Sequence, residues 1–580
     1  MNRFFSVTNI ISVIENAKTS DRWFLRILLT ITVVAFVWVL LAVNQIVSIP
    51  GVSAGGDLTE GILGTPRFAN PVLALTRADQ DVTALVYSGL MKIAPDGSLV
   101  PDIAESVVVS EDGTTYTINL RNDVFFHDGI QLTANDVLFT IGLAQNADLK
   151  SPLRGNWNEV IVEVVDDQTL LVSLTEPYAP FIENFTLGIL PAHIWRTVPI
   201  EQVPFSEFNT TPIGSGPYMV DRAEFSRSGT VQAYNLTAVP SHYQAPLIET
   251  ITLQFFASET EIISALQAGD IDATAYIPAE LLSDVDTERF TTISTPLPRT
   301  FGLFFNQNRS VALRDAAVRQ ALEMVLDRQA IIDDALSGSG IPSRHSTLGT
   351  TTAVESDQVN ISDTEITEQR FNDARSVLEN ADWIQTELGT WEKEIDDSEV
   401  QLTVTIRTTN NPTLEATLEA VVASWRELGV TVLTEQYEQT DLVQSVIRPR
   451  DFAVLLFGLD MSRSRDMFPF WHSSQQNDPG LNITQYANLT VDDYLETARV
   501  SQDNEERTQA IDSAMTIIAN ERPAIFLFQP AHVYIISPSI RTAPMNLIGR
   551  PSDRFSNIAV WNTDTRALWP FFREAEEVTE

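Results

Sequence analysis

The segment LTVTIRTTNNPTLEATLEAVVASWRELGVTVL, residues 402–433, has the pattern of a strand, a helix and a second strand. Leu402, Val404 and Ile406 alternate with polar residues, as in a strand with one buried face. Gly429 is suited to end a helix and is followed by the second apolar strand. The helix between them starts at Pro412 and carries an apolar stripe of Leu414, Leu418, Val421, Val422 and Trp425. Because strands joined by a helix lie parallel, the segment predicts an α/β fold with helices on a parallel sheet.

The same alternation occurs further toward the N-terminus. ITLQFF at 251–256 and IDATAYI at 271–277 are two predicted strands. Between them, Ser258 and Glu261 form a predicted capping box, and Gly269 is suited to end the helix. A longer helix is predicted from 315 to 336, with Val318, Leu322, Val325 and Ile332 toward a core.

An earlier section is rich in predicted strands. Asp112-Gly113 is a turn signal between VVV at 107–109 and the alternating Tyr116, Ile118 and Leu120, which predicts a hairpin. After a second Asp-Gly pair, Thr133 is suited to cap a helix carrying Val137, Leu138 and Ile141. We therefore expect a β-rich insertion within an α/β chain.

Composition excludes several classes of function. The 580 residues include 37 Lys and Arg against 77 Asp and Glu, a net charge of −40, which rules out a nucleic-acid binder that uses a basic surface. With no cysteine, the chain has no disulfides, Cys-ligated metal or thiol catalysis.

The N-terminus has the features of a signal anchor. Residues 27–43 carry no charge, and they follow the basic residues Arg3, Lys18, Arg22 and Arg26. We therefore predict a cytoplasmic N-terminus over 1–25, a transmembrane helix over 26–48, a tether over 49–57 and an extracellular or periplasmic remainder. The alternative is a signal peptide cleaved near Ala54, but its apolar region is normally shorter than this one.

No catalytic pattern stands out. None of the six histidines is spaced for a helical metal site, and HExxH is absent. GVSAG at 51–55 matches a nucleophile elbow formally but lacks the strand that must precede it. We predict a protein that is not an enzyme and that carries no metal or cofactor, with a secreted hydrolase as the alternative.

Several segments in order resemble the family 5 extracellular solute-binding proteins, the receptors of ABC importers for peptides, nickel and some oligosaccharides. The most specific match is TRADQDVTALVYSGLMKIAPDGSLVPDIAESVVVSEDGTTYTINLRNDVFFHDGIQLTANDVLFTI at 76–141. Further matches are LPAHIW at 190–195, GSGPY at 214–218, LQAGDIDA at 266–273, VRQALEMVLDRQAI at 318–331, WRELGVTV at 425–432 and FLFQPAHVYII at 526–536.

The resemblance implies a type II periplasmic-binding-protein clamp with two lobes and an extra β-rich subdomain. By motif order, the first lobe takes 58–292 and 526–575, with the subdomain at 77–205, and the second lobe takes 293–525. It also implies that the chain captures a small solute, chiefly an oligopeptide, and delivers it to the permease subunits of an ABC transporter. An oligosaccharide or a nickel chelate stays open as the alternative solute.

The resemblance also points to candidate ligand contacts. Peptide-binding members carry an Asp for the peptide amine after a Trp-containing turn. Here Leu459 replaces that Trp, so Asp460 and Asp466 both remain candidates. The predicted ligand-binding residues are Asp460, Asp466, Trp471, His472, Ser473, Phe301, Asn306, Asp79 and Arg463.

Overall fold

The computed structural model describes residues 19–47, 49–52, 54–286, 288–343, 363–461, 466–546, 548–563 and 565–568. The chain divides into two compact units, one of Met1–Gly55 with Asn562–Glu580 and one of Gly56–Trp561. The predicted first lobe extended to residue 575, whereas the larger unit ends at Trp561.

In the smaller unit, helix α1 spans Thr19–Val47 and strand β1 spans Ile49–Val52. Strand β1 pairs antiparallel with β23, Thr565–Leu568, so the predicted tether contains a strand. Within the described part of the chain, no helix combines the length and the apolar character needed to cross a membrane. The transmembrane anchor predicted over 26–48 rested on the uncharged run of sequence and is not supported by the structure.

The larger unit contains helices of different lengths. The α-helices are α2 Arg77–Val86, α3 Ala134–Gln145, α4 Arg154–Trp157, α5 Ala192–Trp195, α6 Glu259–Ala268, α7 Ala316–Met324, α8 Arg328–Leu336, α9 Asp363–Asn380, α10 Pro412–Leu428, α11 Gln439–Asp441, α12 Phe468–Trp471, α13 Leu489–Val500 and α14 Asn504–Glu521. Short 3-10 helices span Ala179–Thr186, Ile200–Phe205, Glu207–Asn209, Ala279–Asp284, Ala312–Arg314, Ser473–Gln475 and Pro551–Val560, and a π-helix spans Leu442–Ile447.

The strands of the larger unit are mostly short, but the last is long. They are β2 Asp57–Leu63, β3 Met91–Ile93, β4 Leu99–Pro101, β5 Ala104–Val109, β6 Thr115–Leu120, β7 Ile161–Val164, β8 Thr169–Ser173, β9 Tyr218–Phe225, β10 Val231–Ala238, β11 Thr250–Phe256, β12 Ala273–Thr274, β13 Thr291–Pro296, β14 Arg299–Phe305, β15 Gly340–Pro342, β16 Ile384–Gln385, β17 Trp391–Ile395, β18 Ser398–Gln401, β19 Thr403–Thr409, β20 Thr431–Tyr437, β21 Val454–Asp460 and β22 Ala524–Ile536.

A 12-stranded mixed sheet forms the centre of the larger unit, as far as its residues are described. Its strand order is β20-β19-β21-β14-β22-β12-β2-β11-β10-β9, and β13 and β15 also pair with β22. Separate antiparallel sheets have the orders β5-β6-β8-β7 and β16-β17-β18, and β3 pairs with β4.

The two strand–helix–strand predictions are confirmed, except that the strand predicted over 271–277 is only Ala273–Thr274. Strands β19 and β20 are parallel, and α10 between them is capped by Asn411 and ends at Gly429, whose φ is 99°. Its apolar stripe is buried, including Trp425. Strands β11 and β12 both pair parallel with β2, on either side of it, and α6 connects them. These units establish the α/β class.

The predicted β-rich insertion is the β5-β6-β8-β7 sheet. Gly113 has a φ of 71° at the hairpin turn between β5 and β6. The Asp112 carboxylate holds the turn by accepting hydrogen bonds from the Ser110 hydroxyl at 2.6 Å and the Thr114 amide at 3.1 Å. Thr133 directly precedes α3, as predicted.

The long helix predicted over 315–336 is wrong in one respect, because the segment forms two helices, α7 and α8. Val325 follows the first helix, and Asp327 caps the second by accepting from the amides of Gln329 and Ala330 at 3.0 Å each. A carboxylate at an N-cap competes with helix continuation, so Asp327 starts a new helix.

The apolar side chains of the described residues form three hydrophobic clusters. The first core takes buried residues from Leu58 to Val285 and from Tyr534 to Trp561. The second and third cores lie between Leu303 and Phe528 in sequence. Strand β22 contributes residues to all three, so it passes from one region of packing to the other. The lobe boundaries stay a prediction.

An ionic network ties the C-terminal part of the larger unit to the first core. Arg554 donates to Asp81 at 2.9 and 2.7 Å and to Glu60 Oε1 at 2.9 Å. The hydroxyls of Tyr276 and Tyr534 donate to Asp81 and Glu60, each at 2.7 Å. Burial raises the pKa of Glu60, and the charge of Arg554 opposes that rise. The network joins β2, α2, β22 and the 3-10 helix at 551–560.

Candidate ligand-binding site

Two chain segments, the β13–β14 link at 295–301 and the middle of β22 at 528–532, pass between the cores side by side. The end of β21 at 458–461 pairs with the first of them, and we call the three segments together the crossing region. The Leu297 amide donates to the Pro530 carbonyl at 3.1 Å, and the Met461 amide donates to the Pro298 carbonyl at 2.7 Å. Backbone hydrogen bonds therefore fix these segments against each other.

A pair of opposite charges lies where β14 begins and β21 ends. Arg299 and Asp460 face each other across β14 and β21, and Arg299 Nη2 lies 2.6 Å from Asp460 Oδ2. Their side chains are 42% and 63% exposed. An exposed ion pair contributes little to folding, so both groups remain accessible to a charged ligand at small cost.

An aromatic pair lies one step further along the same strands. The rings of Phe301 and Phe528 stack with their centroids 5.2 Å apart and their planes at 27°. Gly458 faces Phe301 across the strands, and a Cβ placed on it would lie 2.7 Å from the Phe301 ring. The absence of a side chain at Gly458 therefore permits the Phe301 ring to take this position.

Three buried polar side chains in the crossing region have an atom without a hydrogen-bond partner among the described residues. The atoms are Thr300 Oγ1, Gln529 Nε2 and His532 Nε2, and the three residues are 0%, 8% and 5% exposed. A buried polar group without a partner destabilises a fold by about 1–3 kcal/mol. Groups retained at that cost are suited to bind the polar atoms of a ligand.

His532 is held in its neutral form. Burial, followed by the positive charges of Arg554 and Arg77, lowers the pKa of His532 to about 3. A neutral imidazole offers one donor and one acceptor, so His532 is suited to a polar, uncharged partner such as a peptide group. Arg77 is exposed at the start of α2 and brings a cation near this side of the crossing region.

Of the predicted contacts, the structure brings Phe301 and Asp460 together and places Asn306 elsewhere. Asn306 follows the opposite end of β14, about 20 Å from Arg299 at the usual rise per strand residue. Its side chain is buried and donates to the Arg450 carbonyl at 2.9 Å. Asn306 therefore does not share a site with Asp460.

Both carboxylate oxygens of Asp79 accept hydrogen bonds from backbone amides of the protein. Its Oδ1 accepts from the amides of Arg67 and Phe68 at 2.7 and 2.8 Å, and its Oδ2 accepts from the Thr76 amide at 3.1 Å. The residue is fully buried at the start of α2. The carboxylate orders the loop before the helix rather than facing outward.

The segment after β21 makes contacts within the protein. Asp466 is buried and accepts a hydrogen bond from the Tyr178 hydroxyl at 3.0 Å. Trp471 is 1% exposed and packs edge-on against Tyr486 and Phe526, so its ring belongs to the third core. The ring therefore packs in the core, while Trp471 Nε1 is buried without a hydrogen-bond partner among the described residues, and its predicted ligand contact stays a prediction.

His472 and Ser473 also have polar contacts within the protein. His472 Nε2 lies 3.3 Å from Glu496 Oε1. The amide and hydroxyl of Ser473 donate to Asp492 at 2.9 and 2.6 Å. Arg463 lies outside the described residues.

A cavity lies apart from the crossing region. It has a volume of about 360 Å³ and is lined by residues between 71 and 244 and between 550 and 559.

In the described part of the chain, no three His, Asp or Glu side chains are grouped as a metal ion would require.

The sequence reasoning missed Thr300, Gln529 and His532. A signal for the last two was present, because Gln529 and His532 interrupt the otherwise apolar FLFQPAHVYII segment. A polar residue that a buried strand retains needs a partner or a function. Thr300 gives no comparable signal, because Thr is common in strands.

The strands of the mixed sheet cross between separately packed cores, which is the arrangement expected of a two-lobed binding protein. The chain matches the family model of the bacterial extracellular solute-binding proteins, family 5 Middle, over residues 98–480. The chain therefore belongs to this family.

Similar proteins agree over most of the length. The chain is 28% identical over 493 residues to the oligopeptide-binding protein AppA of Bacillus subtilis. The aligned region covers 82% of this chain and 86% of AppA. The solved structure of AppA in complex with a nonapeptide is similar with a TM-score of 0.60 and 26% identity, over 88% and 99% of the two chains. NikZ of Campylobacter jejuni, in complex with Ni(L-His), has the same fold with a TM-score of 0.62 and 24% identity, over 87% and 99%.

Proposed function

We propose that this protein is the receptor of an ABC importer and captures an oligopeptide between its two lobes, at the crossing region. In this proposal the first lobe takes 58–292 and 526–561 of the larger unit, and the second takes 293–525. Closure of the lobes over the peptide then produces the form that the permease subunits recognise.

The observation that carries the proposal is that accessible charges and buried, unpartnered polar atoms occur on the same hydrogen-bonded segments of the crossing region. A free peptide amine can replace Arg299 as the partner of Asp460, and the exposed Arg299 guanidinium then stays in contact with water. Gln529 Nε2 supplies a donor for a peptide carbonyl. The similarity to AppA supports a peptide as the ligand.

The experiment measures binding of a nonapeptide with free termini by calorimetry, after denaturation and refolding to remove copurified ligand. We expect binding, and we expect Asp460→Asn to weaken it about tenfold, because a charge-assisted hydrogen bond is lost. The N-acetylated nonapeptide lacks the amine charge, so both proteins should bind it equally weakly.

Asp123→Asn is the matched control. Asp123 is also an exposed partner of an arginine, with Arg121 Nη2 at 2.8 Å, but it lies in the β-rich insertion. This variant should bind the nonapeptide like the unaltered protein. Recovery of a sugar or a nickel chelate by mass spectrometry, without peptide binding, would overturn the proposal, and cleavage of the peptide would identify a hydrolase.

A further inference from the structure

Aromatic rings and one arginine form a column that joins the first core to the third. The Arg499 guanidinium lies over two rings, 4.9 Å from the centroid of Tyr178 and 4.3 Å from that of Phe468. The His472 ring also stacks on Phe468, with centroids 4.0 Å apart and planes at 15°. Tyr178 packs with the first core and Phe468 with the third, so the column spans the boundary between them.

Asp466 lies beside this column and contacts residues of both cores. Its carboxylate accepts hydrogen bonds from the Tyr178 hydroxyl at 3.0 Å and from the backbone amide of Phe468 at 3.2 Å. Arg499 Nε lies 3.6 Å from the same carboxylate, whose side chain is only 6% exposed. A carboxylate this deeply buried depends on its partners, so loss of Tyr178 leaves it poorly compensated.

A second contact extends the same boundary. The Gly113 turn of the β-rich insertion lies against the Gln502 side chain, since a Cβ on Gly113 would lie 2.7 Å from Gln502 Nε2. Arg507, on α14, is close enough to Glu183 for the two charges to interact. The boundary is therefore a surface with several contacts.

These contacts involve none of the strands of the crossing region. If the lobes rotate about those strands, the contacts between Tyr178 and the Asp466–Arg499 pair must break. We propose that Tyr178, Asp466 and Arg499 form a latch that holds the lobes closed and so sets the affinity for the solute. The proposal rests on the proposed function only in that the molecule is a closing clamp.

The latch acts on affinity through the closed population. For a solute that binds only the closed form, the apparent affinity is the intrinsic affinity multiplied by the fraction of molecules that are closed. Weakening the latch therefore speeds release of the solute without altering any group that touches it. Asp466, predicted as a ligand contact, takes the role of a positioning residue in this proposal.

The test uses the absence of cysteine in the chain. Glu163 and Glu427, exposed in the β-rich insertion and on α10, are replaced by Cys and spin-labelled, and the distance between the labels is measured without peptide. We expect Tyr178→Phe to move the distance distribution away from the one the unaltered latch gives and to broaden it.

Tyr243→Phe is the matched control, because the Tyr243 hydroxyl also donates to a buried carboxylate, Asp102 Oδ1, at 2.7 Å. Both residues of that pair pack within the first core region, so the label distance should stay unchanged although stability falls. Arg499→Lys keeps the charge but loses the planar stacking, and should move the distance in the direction that Tyr178→Phe does.

Peptide release gives the second readout. Tyr178→Phe should speed dissociation of the nonapeptide about tenfold, while Tyr243→Phe leaves it unchanged. Unchanged distances in both latch variants, or equal changes in the control, would overturn the latch. Because the distance is measured without peptide, this outcome differs from failure of the proposed function, in which the unaltered protein does not bind peptide.

Discussion

Arg554 and Asp81 form a two-point ion pair inside the first core, with Nη1–Oδ1 and Nη2–Oδ2 distances of 2.9 and 2.7 Å. Both side chains are 0% exposed. The pair lies 473 positions apart in sequence, so it closes the C-terminal segment onto the start of the larger unit.

The first prediction concerns this pair. Arg554→Met leaves Glu60 and Asp81 buried without their cation, and the free energy of unfolding should fall by about 3–5 kcal/mol. Urea unfolding followed by circular dichroism measures the change. The control is Arg222→Met, since Arg222 pairs with Glu224 at 68% and 47% side-chain exposure, and its loss should cost under about 1 kcal/mol.

The second prediction is a dependence of stability on pH from His532. Its pKa falls from 6.5 in the unfolded chain to about 3 in the folded one, so the unfolded state binds more protons between these values. The stabilising contribution is complete above pH 6.5 and declines by up to about 1.4 kcal/mol per pH unit as the pH falls toward 3.

His532→Asn removes this term, so the difference in unfolding free energy between the two proteins should change with pH between 6.5 and 3 and be constant above 7. Urea midpoints at a series of pH values measure it. Burial also lowers the pKa of His242, to about 4, but His242 is present in both proteins and cancels in the difference. A difference that does not vary with pH would contradict the assignment.

The local parts of the fold were predictable because their signals are contained in short segments. The β19–α10–β20 unit follows from the apolar spacing around Trp425 and from Gly429, whose left-handed backbone ends the helix. The break between α7 and α8 was missed because the apolar residues on both sides keep one helical spacing, while the Asp327 cap depends on a single side chain.

The site was less predictable because its residues meet through long-range strand pairing. Asp460 and Phe301 were identified from the resemblance, but their position relative to Gln529 and His532 depends on the register of β14 with β21 and of β22 with β13 and β14. Asp79 and Asn306 look like ligand contacts in sequence, and the structure shows that the chain's own polar atoms bind them. Sequence cannot show which polar side chains are already paired.

The third prediction concerns the close approach at Gly458. Gly458→Ala puts a methyl group about where the Phe301 ring lies, so the ring or the strand must shift, and we expect a loss of about 1–3 kcal/mol in unfolding free energy. Gly142→Ala is the control, because nothing lies within 4 Å of a Cβ there. In the interior of α3, alanine should instead stabilise by about 0.5–1 kcal/mol.

The last prediction separates stability from binding at Gln529. Its Nε2 is buried without a partner among the described residues, so Gln529→Leu removes a desolvated donor and should raise the unfolding free energy of the empty protein by about 1 kcal/mol. The same change removes the donor that we assign to a peptide carbonyl, so nonapeptide affinity should fall about tenfold or more. Thermal unfolding and calorimetry on the same samples measure both effects. A donor that serves folding alone would give the opposite pattern, in which stability falls and affinity stays unchanged.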